Sequence, residues 1–147
     1  MDAPRFRTFW QAGFESANHI NGRRQRVDMI AATQHERYVA ADYARLRPFG
    51  FGVVREGLRW PLIERKGRFD WSSVARIMAA AREQDMQVIW PLCHDGWPDD
   101  LDIFAPEFVA RFARSAASVV TFSARQVPAL GDQPNAGGRR PHRLAMS

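Results

Sequence analysis

A single cysteine, Cys93, occurs in the 147 residues. No internal disulfide can form, so the fold does not depend on an oxidising compartment. The four histidines are scattered, and neither zinc-finger nor HExxH spacing occurs, so no metal site is expected. No GxGxxG or Walker loop follows any apolar run, and with no phosphate cradle no nucleotide cofactor is expected either. Nowhere do eighteen apolar residues run together, which excludes a helical membrane span. The opening MDAPRFRTFWQAGFE contains no processing site and reads as mature sequence, not a signal peptide. With its lone thiol, the chain is expected to be cytoplasmic. A strong charge excess is also missing. The 21 basic and 16 acidic residues leave a formal charge of +5, with arginine nearly alone on the basic side and the signs interspersed. That excess is too small and dispersed to point to nucleic acid.

What is present is a globular composition, 46% apolar and 25% charged, in a chain of ordinary single-domain length. FRTFWQAGFE, Phe6 to Glu15, reads as a first strand rich in aromatics. A polar segment with a turn at Asn21-Gly22 follows, and its Arg23, Arg24 and Arg26 read as a solvated loop face. TQHERYVAADYARLRPFG has a helical period through Tyr38, Ala41 and Leu46 and stops at Pro48 and Gly50. Thr33 and Glu36 have the spacing of a capping box. Val53 and Val54 lie in a second strand that ends in Arg55 and Glu56. Asp70 is placed to cap a helix with Val74, Ile77, Met78 and Ala81 on one face. MQVIWPLCH is a nearly continuous apolar run, as expected of a parallel strand covered on both sides. A further helix from about Pro106 to Ser118 carries Phe108, Val109, Phe112 and Ala116 at helical spacing. VVTF after it sits where a fourth strand or its approach is expected.

Strand and helix thus alternate three times, with each inter-strand helix long enough for a right-handed crossover. The fold class is α/β, in βα units. Polar residues gather just after the strands, at Glu15, Arg55-Glu56 and His94-Asp95, where parallel α/β folds place their ligands. Composition changes after about residue 124. Residues 125–147 are rich in proline and glycine, carry Arg139, Arg140 and Arg143, and are expected to be unstructured. The change is as abrupt as that of an interrupted fold.

FWQAGFE, GVVREGLRWPLIE, GRFDWSSV and VIWPLCHDGWPDDL, in this order and spacing, resemble the N-terminal part of a clan A glycoside hydrolase barrel. The resemblance is nearest to the β-glucosidase-like group of family 1 and covers about Phe6 to Ala124. It implies an incomplete TIM (β/α)8 barrel of about three N-terminal βα units, followed by the disordered tail. It also implies a parent activity, hydrolysis of the O-glycosidic bonds of β-glucosides. By the same resemblance His94 is a sugar contact after the third strand, with Trp97 and Pro98 in the loop beyond it. Arg55 matches an arginine on the second strand near the nucleophile. Glu15 stands near a sugar-contacting glutamine at the end of the first strand, and the change of residue departs from the family pattern. The family's acid/base glutamate follows strand four, usually after asparagine, and its nucleophile follows strand seven. No Asn-Glu pair occurs in this chain and neither matched glutamate is present. Retaining hydrolysis needs two carboxyl groups about 5 Å apart, so this chain is expected to be an inactive, truncated relative. The alternative is a small α/β domain that binds a sugar or other polar ligand without catalysis.

Read residue by residue, the expected substrate-binding set is His94, Arg55, Glu15 and Trp97, with no catalytic residue. His94 and Asp95 are neighbours on an extended segment and point apart, so a direct imidazole–carboxylate pair is not expected. Trp10, Trp71 and Trp90 are expected in the core, and Cys93 is expected to be a buried, inert thiol. Three of eight units cannot close a barrel, so the third strand is expected to keep an open edge. Self-association, or a complementing barrel fragment, is the expected partnership, besides a carbohydrate ligand.

Overall fold

The structure, a computed structural model, describes residues 6–126 and 145–146. Its centre is a parallel sheet. Strand β1 (Gln11–Gly13) pairs with β4 (Val53–Arg55), which pairs with β7 (Gln87–Trp90), and β8 (Ala145–Met146) follows on the far edge of β7. Gln11, Val53 and Gln87 share one row, Ala12, Val54 and Val88 the next, and Gly13, Arg55 and Ile89 the third. Side chains alternate across a strand, so these rows face opposite ways. Ala12, Val54, Val88 and Trp90 pack into the main core with Val39, Tyr43, Val74, Ile77 and Met86. Val53 and Ile89 face the other way and are covered by Phe6. Burial on both faces is why Val53 and Val54 of β4 and Val88, Ile89 and Trp90 of β7 are apolar, whereas Gln11, Gly13 and Arg55 stay exposed.

Two crossovers supply the helical layer. Between β1 and β4 run a small antiparallel hairpin, β2 (Asn18–Ile20) with β3 (Arg26–Asp28), then helix α1 (Met29–Ala32) and helix α2 (His35–Leu46). The hairpin turns at Asn21-Gly22, where the Asn21 side chain accepts from the amides of Arg23 and Gln25. Between β4 and β7 run α3 (Trp60–Ile63), a second hairpin of β5 (Glu64–Arg65) and β6 (Arg68–Phe69), and helix α4 (Ser72–Glu83). Helices α2 and α4 lie side by side on the sheet, and their Val39, Tyr43, Val74, Ile77, Ala80 and Ala81 are buried. Helix α5 (Glu107–Gln126) follows β7 after a long loop.

Several expectations shift. The first strand is three residues long, not Phe6 to Glu15, and Trp10 is 64% exposed, not in the core. Thr33 does not cap α2: its hydroxyl donates to the carbonyl of Met29 and closes α1, and Gln34 precedes α2 in a left-handed conformation. Glu36, the other half of the expected capping box, pairs with Arg59 and Arg76. Asp70 does accept from the amide of Ser72, although Trp71 is the residue that flanks α4. VVTF is not a strand but part of α5, which runs past Ser118 and past the expected boundary at 124 to Gln126. Val109 stands 71% exposed, off the packed face of that helix. The far edge of β7, expected to be open, is met over two residues by β8. Of the tail expected over 125–147, residues 127–144 and 147 lie outside the described residues.

Candidate functional site

The strands of the central sheet all point the same way, so the segments after β1, β4 and β7 emerge at one end of it. A cleft of about 710 Å³ opens there. Glu15, Arg55, His94 and Trp97, the four residues named from the sequence, all line it, together with His19, Asp95 and Asp99. Each arrives by a different route. Arg55 ends β4 in the row of Gly13 and Ile89, on the face away from the helices. A Cβ on Gly13 would lie 3.7 Å from Arg55 Nε, an ordinary contact distance, so the guanidinium stands directly over the end of β1. Arg55 is exposed and has no ion-pair partner among the described residues, which leaves its donors to the cleft. Glu15 is exposed two residues past β1, with one carboxylate oxygen accepting from the amides of Ser16 and Ala17 at 3.0 and 2.9 Å. That double acceptance fixes the carboxylate at the rim.

His94 and Trp97 come from the segment after β7. His94 is exposed and Trp97 is 39% exposed, while Asp95 between them is buried at 5%. The expected opposition of His94 and Asp95 is therefore realised. Ser16 Oγ donates to Asp95 Oδ1, and the Asp95 carbonyl accepts from the backbone amide of Asn18 at 2.6 Å. Burial pushes the Asp95 carboxyl above the ordinary carboxylate value, and Ser16, His94, the Leu58 backbone and Arg55 pull against that without cancelling it. Cys93 opens the same segment half-buried, its thiol pushed up first by burial and then by the charge of Asp95. A raised thiol pKa is the opposite of nucleophile activation. At the rim Arg26 bridges Asn18 and Asp99, so it serves the hairpin and not open solvent. Arg23 and Arg24 are exposed in the hairpin turn.

Glu56, next to Arg55, takes no part. Its strand position turns it to the helix side, where it is fully buried against His35 and Tyr43. The residues that organise the cleft without appearing in the sequence-derived set are Ser16, Asn18 and Asp95. Their signal was indirect: Gly57 and Gly96 stand just beyond two strand ends, where close approach of loops removes room for a side chain.

The chemistry this arrangement supports is recognition of a polar ligand. A guanidinium, an imidazole and a carboxylate offer donors and acceptors around an indole that presents an apolar face. Among the described residues no cluster of histidine, cysteine and carboxylates could hold a metal ion. No helix there is long and apolar enough to cross a membrane.

No family profile matches the chain, and no curated protein does. Among solved structures it is similar to an exo-beta-1,4-mannosidase from Opitutaceae bacterium strain TAV5, with a TM-score of 0.55 and 21% sequence identity. The match covers 76% of this chain and 21% of that one, so the chain spans about a fifth of its neighbour's length. The likeness shows the fold alone: an incomplete βα barrel. Nothing in it singles out family 1.

Proposed function

We propose that this chain is a glycoside hydrolase-like protein with an incomplete barrel, whose cleft binds a carbohydrate and which, alone, does not hydrolyse glycosides. The observation that carries the reading is the convergence of Glu15, Arg55, His94 and Trp97 on one cleft at the C-terminal ends of three parallel strands. Ligand sites of parallel βα folds form at that end. The sequence resemblance favours a β-glucoside; the structural neighbour's name favours a β-mannoside, so both sugars belong in the test. His94 and Arg55 would donate to ring hydroxyls, Glu15 would accept from them, and the Trp97 indole would lie against the CH face of the ring.

The proposed lack of turnover follows from what the cleft's carboxylates are doing. Hydrolysis needs a proton donor and a nucleophile or base on opposite sides of the scissile oxygen. Asp95 is buried on Ser16, Asp99 is paired with Arg26, and Glu15 is held by two amides at the rim. None is left as the second member of a poised pair. Titration calorimetry with methyl β-glucoside and methyl β-mannoside tests binding: saturation by either, weakened at least about tenfold in His94→Ala, is expected. Release of a chromogenic aglycone from the two aryl β-glycosides is expected to stay at the level of an inactive control. Turnover abolished by Glu15→Gln would overturn the non-catalytic reading. Failure of both sugars to bind at any accessible concentration would remove the carbohydrate reading altogether.

A further inference from the structure

We propose that Asp95 is the positioning residue of the cleft: fastened to Ser16, it holds the segment carrying His94 and Trp97 against the segment carrying Glu15. The two segments come from β7 and β1, which are not neighbours in the sheet, since β4 lies between them. Something must therefore span that gap at the strand ends. The Ser16 hydroxyl and the Asp95 carboxylate do so with a buried hydrogen bond between residues only 4% and 5% exposed. The Asn18 amide doubles it by donating to the Asp95 carbonyl.

Two glycines record how closely the backbones meet. Gly96 has φ of +136°, and a Cβ built on it would fall 1.9 Å from the Asn18 carbonyl oxygen. Gly57, from the segment after β4, would place a Cβ 2.2 Å from Ser16 Cβ. Ser16 is thus enclosed by all three strand ends, and Asp95 is the polar group it meets there. A further link between the hairpin and the His94 segment, Arg26 to Asp99, lies at the rim with Asp99 60% exposed. An exposed pair of that kind is screened and contributes little. His94 and Trp97 flank Asp95 by one and two residues, so fixing Asp95 fixes where both reach the cleft.

The inference takes this cleft as the binding site, as proposed above, but its test needs no ligand. Sugars that fail to bind would remove the carbohydrate reading and leave the pin standing. The full chain is prepared with Ser16→Ala, Asp95→Ala and Asp95→Asn, and amide hydrogen exchange is followed residue by residue. Cys93, the single cysteine, sits in the same segment and serves as a second reporter through its rate of alkylation by iodoacetamide. Loss of one buried hydrogen bond predicts about tenfold faster exchange at the Asn18 amide and faster alkylation in Ser16→Ala and Asp95→Ala. Val54 and Val88 amides should keep wild-type rates. Asp95→Asn keeps an acceptor for Ser16 and should restore protection at Asn18. Three results would each overturn the proposal: unchanged Asn18 exchange in both alanine variants, loss of protection across β4 and β7 as well, or no rescue by asparagine.

Discussion

His35 is the residue that the sequence concealed best. Its Nδ1 lies 2.8 Å from Asp42 and its Nε2 3.0 Å from Glu56, and it is 2% exposed beneath the stacked ring of Phe14. A ring with a carboxylate at each nitrogen donates from both, which only the imidazolium can do. Burial pulls the His35 pKa down, but the hydrogen bonds and charges of Glu56 and Asp42 outweigh it and the value ends above 6.5. Burial beside Glu56 also pushes the Tyr43 phenol far above its ordinary value, so Tyr43 remains a donor to that carboxylate. Removing the cation would leave Glu56 buried and uncompensated, so His35→Ala is expected to destabilise the fold by about 3–5 kcal/mol in chemical denaturation. The pH dependence has a definite sign. A raised folded pKa gives stabilisation that is complete below the unfolded value, near 6.5, and fades as pH rises through the folded value. The wild-type melting temperature should therefore fall on going alkaline from about pH 6, and His35→Gln should flatten that fall.

At the scale of elements, α5 is fastened by one carboxylate and a row of rings. Glu64, 2% exposed, accepts from Trp60 Nε1 at 2.7 Å, from Arg111 Nε at 3.1 Å and from Arg114 at 3.0 Å. Trp60 meets Phe108 and Phe112 of the helix, and Trp71 stacks between Phe69 and Phe122. Trp71 thus spends both faces on packing, as the sequence reading expected. Trp60→Ala should lower stability by about 3–5 kcal/mol, since the indole is fully buried and its loss also strips Glu64 of a donor. Burial raises the Glu64 pKa, but Trp60, Arg114 and Arg111 more than reverse this and the value ends below 4.5. A depressed carboxylate stabilises above its unfolded pKa and loses that contribution as pH falls through the folded one. The acid limb of a melting-temperature profile should accordingly be shallower in Glu64→Gln than in wild type.

For the whole molecule the decisive feature is the edge of the central sheet at β1. No strand among the described residues pairs with the outer edge of β1. Beside that edge Phe9 and Trp10 stand 87% and 64% exposed, ring against ring. An unpaired edge flanked by exposed aromatics is a template for another strand. We propose that a second copy of the chain or a complementing barrel fragment joins there. Sedimentation velocity at rising concentrations should show self-association, and Trp10→Lys should shift the protein toward monomer. A wild-type chain that stays monomeric throughout and melts at high temperature would argue against it.

The sequence by itself determined the α/β class, the order of three parallel strands and the end at which polar residues collect. It could do so because apolar runs such as VVR and QVIW and the helical period of α4 are local properties of the chain. It also pointed to Glu15, Arg55, His94 and Trp97 as residues of that end, since residues at or past the end of a parallel strand must emerge there. Only the tertiary structure decided which way each of them turned. Arg55 faces the cleft and Glu56 the helices because the register of β4 between β1 and β7 assigns alternate residues to opposite sides. Trp10 is exposed because regular pairing begins one residue later, at Gln11, beyond the Phe6 that covers Val53. The 20-residue reach of α5, through VVTF where a strand was expected, follows from the burial of Val119 and the stacking of Phe122 on Trp71. The His35–Glu56 and Ser16–Asp95 contacts join residues 21 and 79 positions apart, and no local pattern encodes a partner at that distance.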